Sequence, residues 1–171
     1  AATAAAQTSY FGVMSTRSAS PVHLLPLTAR GGKFYLGGGP PSSYCPEQET
    51  VKPYCPPGTE TTLAGGYEWL SLGVVVPGGQ RVYIAPDGSM SYTQAHSAYM
   101  PPGSIQDGWS RTEGAQFGNL RWTNGLIACP TDVEGQGYQV FGQIEGKEFD
   151  GGCLGFNALT VNVTEAGAWQ Y

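Results

Sequence analysis

With 171 residues the chain is long enough to bury the core of one domain. Its 8 Lys and Arg are scattered and its net charge is −5, which excludes a nucleic-acid binder built on phosphate neutralisation and gives an anionic membrane no basic patch to hold. No apolar run approaches the ~20 residues of a membrane helix, so the reading is a soluble domain.

The 26 Gly and 13 Pro would suit disorder, but 10 Tyr, 6 Phe and 4 Trp spread along the chain argue for a packed fold of short strands and tight turns. Residues 1–10, AATAAAQTSY, have the small-residue character left by signal-peptide or propeptide cleavage, an expectation of secretion. Period-two and short apolar runs follow, and no 3.6-residue apolar pattern lasts three turns without Gly or Pro. Strands are predicted at 10–17, 22–27 and 33–36, with a turn at Gly31-Gly32. Segment 37–58 has no strand pattern and reads as a long surface loop holding Cys45 and Cys55 among prolines. Strands at 59–63 and 69–76 come next, then a hairpin of 81–85 and 89–94 over Pro86-Asp87-Gly88. The remaining strands are 108–111, 118–123, 126–128, 137–144 and 154–163. Of these, 120–123 and 126–128 read as a second hairpin, with the type I′ turn that Asn124-Gly125 favours.

Short strands at this spacing predict an all-β domain over 1–171. Grouped as 10–63, 69–111 and 118–163, with Trp109 and Phe141 in similar places in two groups, they suggest a disulfide-stapled β-trefoil-like closed barrel. A two-sheet β-sandwich is the alternative. Cys129 and Cys153 lie at the edges of apolar segments. Four cysteines allow three pairings, and the sequence leaves them open; Cys45–Cys55 with Cys129–Cys153 is favoured. No CxxC occurs and only two His are present, so neither a metal site nor a cofactor is expected. Asn162-Val163-Thr164 is the chain's one N-x-S/T sequon, and a glycan there requires Asn162 to point outward.

No set of residues selects a catalytic reaction. His96 precedes Ser97 and is near Asp107 in sequence, but no GxSxG elbow is present; a ring bonded to loop backbone is expected. His23 sits in an apolar strand pattern, where packing or an edge role is expected. Asp87, Asp107 and Asp150 lie beside glycines and Asp132 three residues before one, in turns, where Asp bonds nearby backbone. Glu68 and Glu113 remain, yet nothing selects the two carboxyls ~5–9.5 Å apart that a glycosidase needs. An oxidative copper enzyme needs His at position 1, where Ala1 stands. The glycines of 37–39 precede neither a helix nor a Lys and read as turns. Carbohydrate binding is the functional alternative, through exposed aromatics drawn from Tyr92, Tyr99, Trp109, Trp122 and Tyr138, with Tyr44 and Tyr54 in the loop.

The segment GGQRVYIAPDGSMSYTQAHSAYMPPGS at 78–104 resembles the PhiA family of small secreted fungal cell-wall proteins. FGVMSTRSASPVHLLPL at 11–27, GGKFYLGG at 31–38 and the closing AWQY resemble the same family. A fainter likeness joins the chain to the C-terminal four-cysteine domain of yeast Pir wall proteins, whose glutamine-containing repeats it lacks. The resemblance implies a secreted, wall-associated, IgE-binding allergen-like protein of the wall or spore-forming structures, with no catalytic residues to carry over. The function expected is therefore a non-catalytic structural or interaction role in the wall or spore-forming structures, as a monomer, with wall polysaccharide as the candidate partner. A carbohydrate-binding module is the second reading and a secreted glycoside hydrolase the third.

Overall fold

The computed structural model describes residues 9–171. Alternation along the longest strands sets the architecture. In β1 (Tyr10–Thr16), Phe11, Val13 and Ser15 are buried while the residues between them are half-exposed. β12 (Leu154–Val163) alternates likewise and buries Ala158 and Thr160. β1 pairs with β12 along its whole length, from Tyr10↔Val163 to Thr16↔Asn157. Between these two run β2 (Leu27–Arg30), β3 (Lys33–Leu36), β4 (Leu63–Tyr67), β5 (Trp69–Leu72) and β6 (Val82–Ile84). They are followed by β7 (Met90–Tyr92), β8 (Trp109–Thr112), β9 (Phe117–Trp122), β10 (Leu126–Pro130) and β11 (Tyr138–Gly142). The result is one 12-stranded antiparallel sheet, ordered β5-β4-β1-β12-β10-β11-β3-β7-β6, with β2 on β3 and the β8–β9 hairpin branching from β12. Phe11, Phe34, Leu36, Leu70, Ile84 and Leu120 are among the core side chains on its inner surface.

The all-β expectation holds and the trefoil does not. The ladders run β5-β4-β1-β12-β9-β8, but a closed barrel needs them to continue all the way round, and from β8 back to the β4–β5 tip there is only the single bridge Glu68↔Trp109. The other open end is alike: β5 and β6 meet at one bridge, Ser71↔Arg81, with no ladder between them. Nor are there two separate sheets, because β12 is continuous. Its first residues pair with β10 and its later ones with β9 along the same edge.

That shared edge also overturns the second hairpin. β9 and β10 do not pair with each other; they lie end to end along β12, Leu120↔Ala158 and then Leu126↔Phe156. The intervening Thr123–Gly125 turn is a kink. Its Gly125 N–H donates to the Trp122 carbonyl at 2.8 Å, and only Gly125 there has positive φ, at 92°. A type I′ turn would need Asn124 left-handed as well. The first hairpin, β6–β7, is present, with Val82↔Tyr92 and Ile84↔Met90 in register.

Two strands start later than the apolar pattern suggests, because side-chain oxygens bind backbone ahead of them. Residues 22–26 fold back over Ser15: Leu24 N–H donates to the Ser15 carbonyl at 2.9 Å, and Ser15 Oγ donates to the Val22 carbonyl. His23 therefore stands in an exposed turn and accepts the Arg17 N–H at Nδ1, 3.2 Å away, instead of occupying a strand. Thr61 Oγ1 accepts the Ala29 N–H at 2.8 Å and Thr62 Oγ1 donates to the Gly73 carbonyl at 3.0 Å, so β4 begins only at Leu63.

The loop over 37–58 is stapled within itself and bonded to its neighbours. Cys45 is bonded to Cys55, Tyr44 is bridged to Gln170, and Gly58 N–H donates to the Gly167 carbonyl at 2.8 Å. The second disulfide, Cys129–Cys153, joins β10 to the residue before β12. The chain's last residues are a clamp. Val76 N–H donates to the Trp169 carbonyl at 2.9 Å, and the buried Gln80 amide accepts the Tyr171 N–H and donates to the Tyr171 carbonyl, at 2.8 and 2.7 Å. No helix of the described residues is long and apolar enough to cross a membrane.

Candidate functional site

Three of the five aromatics nominated from the sequence are core. Trp109 is 2% exposed, Trp122 4% and Tyr92 5%. In β9 the inward series is Gly118, Leu120, Trp122, and in β8 it is Trp109 and Arg111. Trp122 Nε1 is spent on the Asp107 carbonyl at 3.0 Å, and Tyr92 meets Phe34 edge to face at 5.3 Å between centroids. Tyr138 is half-buried and packs against the core from β11. Tyr99 alone of the five is a surface residue, 71% exposed. Tyr44 and Tyr54 of the stapled loop are also exposed.

Of the acids nominated from the sequence, Asp87 and Glu113 are engaged by local side chains, while the Asp107, Asp132 and Asp150 carboxylates make no hydrogen bond among the described residues. Asp87 Oδ1 accepts the Ser89 N–H and Oγ–H at 2.9 and 2.6 Å. Burial pushes its carboxyl up, but the Ser89 hydrogen bonds and the nearby Lys33 and Lys147 outweigh that and hold it below the usual carboxylate range. Glu113 pairs with Arg111 at 3.3 Å and accepts the Tyr67 hydroxyl, which raises the Tyr67 phenol above its ordinary value. Glu68 projects from the tip between β4 and β5. Its backbone is left-handed at φ 69°, and it is bonded in both directions to the Trp109 backbone. His96, also left-handed at φ 63°, is exposed, and its ring makes no hydrogen bond among the described residues, against the expectation of a backbone-bonded ring. No group of three His, Cys, Asp or Glu able to hold a metal occurs among the described residues.

The surface with binding character lies on β5. Leu70 and Leu72 enter the core, so Trp69 and Ser71 share the outer face. Trp69 is 58% exposed, and the Arg81 guanidinium sits over its ring at 5.0 Å from the centroid, the geometry of a cation–π pair. The Ser71↔Arg81 bridge brings both residues to the rim of a cleft of about 310 Å³, which Gln80, Thr93, Ser97 and Gln106 also line. Arg81 N–H donates to Thr93 Oγ1 at 2.9 Å, fixing the cleft floor, and the loop carrying Ser97 also carries His96 and Tyr99. An exposed indole beside hydroxyl and amide side chains can cover a sugar ring and bond its hydroxyls. Trp69 and Arg81 were not singled out from the sequence. The alternation Trp69-Leu70-Ser71-Leu72 held the signal, since placing both leucines inward turns the indole out.

Residues 11–171 match the family model described as PhiA-like secreted protein. The chain is 38% identical over 161 residues to an "uncharacterized secreted protein" of Arthroderma benhamiae, covering 88% of this chain and 79% of that relative. No solved structure matches the chain.

Proposed function

Because the chain belongs to the PhiA-like secreted protein family, we propose that it is a non-catalytic protein of the fungal wall that adheres to neutral wall polysaccharide at the exposed Trp69 and the neighbouring cleft that Arg81 lines. The observation that carries this reading is the exposed Trp69 indole stacked by Arg81, whose side chain borders the neighbouring polar cleft. A protein working outside the cell with few charges on its surface needs a contact that survives changes of pH and salt. An aromatic face with hydroxyl and amide partners is such a contact, whereas exposed ion pairs are not. The engagement of Asp87 and Glu113 in local bonds supports a role without catalysis.

The test is retention of the native protein on insoluble β-glucan, chitin and whole fungal wall, with soluble-sugar release assayed alongside. Retention without release is expected, and Trp69→Ala should weaken it about tenfold, the loss of ~1.4 kcal/mol. Equal retention of the variant, or no retention of the native protein on any of the three, would sink the assignment. Released sugar would overturn the non-catalytic reading.

A further inference from the structure

The sequon at the end of β12 lies outside the proposed cleft. Asn162 and Thr164 are both exposed. Strand alternation puts Asn162 on the same side as the buried Thr160 and opposite Phe11 in register, so the amide begins on the inner side of the sheet. What turns it to use is Arg111. This side chain is 1% exposed, lies over the Phe11 ring at 3.9 Å, and pairs with Glu113. Its Nη2 donates to Asn162 Oδ1 at 2.9 Å. The Asn162 carbonyl oxygen is thus held against a buried guanidinium, and the planar amide directs Nδ2 away from it. Nδ2 makes no hydrogen bond among the described residues.

From this geometry we infer that Asn162 carries an N-linked glycan on the Nδ2 that the Arg111 bond to Oδ1 leaves free. The donor is a lipid-pyrophosphate-linked oligosaccharide, used by the host transferase of the secretory pathway. Nδ2 forms a bond to the sugar C1 and loses one proton. The C1–O bond to the pyrophosphate breaks, and the lipid pyrophosphate leaves with the electron pair. The product is still an amide whose Oδ1 keeps its lone pairs, so the bond from Arg111 survives attachment. The sugar projects from the end of the sheet without displacing a core side chain.

The protein is secreted from a glycosylating fungal host and its intact mass is read before and after treatment with peptide-N-glycosidase. Three variants accompany it. Thr164→Ala removes the hydroxyl the transferase reads and leaves the Asn162–Arg111 bond intact; Thr164→Ser keeps a hydroxyl; Asn162→Gln removes the acceptor. The native protein and Thr164→Ser should each lose the mass of one oligosaccharide, with Asn162 converted to Asp. Thr164→Ala and Asn162→Gln should show no such loss. A native protein whose mass does not fall on treatment overturns the assignment, whether it is bare or carries only sugar that the enzyme leaves in place. Thr164→Ala keeps the test decisive if Asn162→Gln fails to be secreted.

Discussion

Tyr171→Phe tests whether the C-terminal clamp holds a neutral, buried phenol. Tyr171 is 8% exposed; its hydroxyl accepts the buried Thr62 N–H at 3.2 Å and donates to the Glu60 carbonyl. Deleting that oxygen strands a buried donor and an acceptor, at a cost of ~1–3 kcal/mol at neutral pH. A second effect depends on pH. Burial pushes the phenol up to about 12 from its ordinary 10.0, against the lowering effect of the Thr62 hydrogen bonds. Because the folded value is the higher one, the unfolded chain loses this proton first as pH rises. The stabilisation is complete below pH ~10 and disappears between pH ~10 and ~12. At pH ~11 the two titrations differ by a factor of about ten, so the native protein has lost ~1.4 kcal/mol through this group. The Phe variant cannot lose it. Urea unfolding followed by Trp fluorescence should therefore show the gap between native and variant narrowing by about that amount from pH ~8 to ~11. Burial raises the Tyr83 phenol as well, but Tyr83 is common to both proteins and cancels in the difference. A gap that stays constant or widens would refute the placement of a neutral Tyr171 in the core.

Gly38→Ala should destabilise by more than ~2 kcal/mol in thermal melts, because its φ is +80° and a Cβ there would run into the Gln136 carbonyl. Replacing Cys129 and Cys153 together by Ala should cost about 3.5 kcal/mol and replacing Cys45 and Cys55 about 2.7 in urea unfolding, since the loops they close differ in length; an equal or reversed order would contradict the loop-entropy account. Trp109→Ala should cost ~3–5 kcal/mol while its folded fraction keeps any polysaccharide retention, and Trp69→Ala should show the opposite pattern. Differential scanning calorimetry and the same pull-down separate the two.

The strands themselves were largely legible in the sequence. The ranges 10–17, 33–36 and 154–163 lie within a residue of β1, β3 and β12, and Pro86-Asp87-Gly88 closes the hairpin it was expected to close. Alternation and turn residues act within a few positions of each other, so local reading reaches them. The errors at 22–27 and 59–63 come from side chains that bond backbone far along the chain, as Thr61 does with Ala29. An apolar count takes no account of that competition.

Partners were decided only in three dimensions. Asn124-Gly125 has the composition of a hairpin turn whether its flanking strands pair with each other or lie end to end on a third. The ten-residue edge of β12 satisfies both segments and makes the turn a kink. The same distinction separates the tryptophans. Trp69, Trp109 and Trp122 each occupy an alternating strand, so sequence alone establishes that each points to one face and leaves open which face is covered. The fold buries the inward faces of β8 and β9 and leaves Trp69 on the outer face of β5 exposed under Arg81. Composition therefore determined a short-stranded, turn-rich, stapled fold, because those are properties of neighbours in the chain. The surface available for binding depends on which strands cover one another, a property of residues distant in sequence.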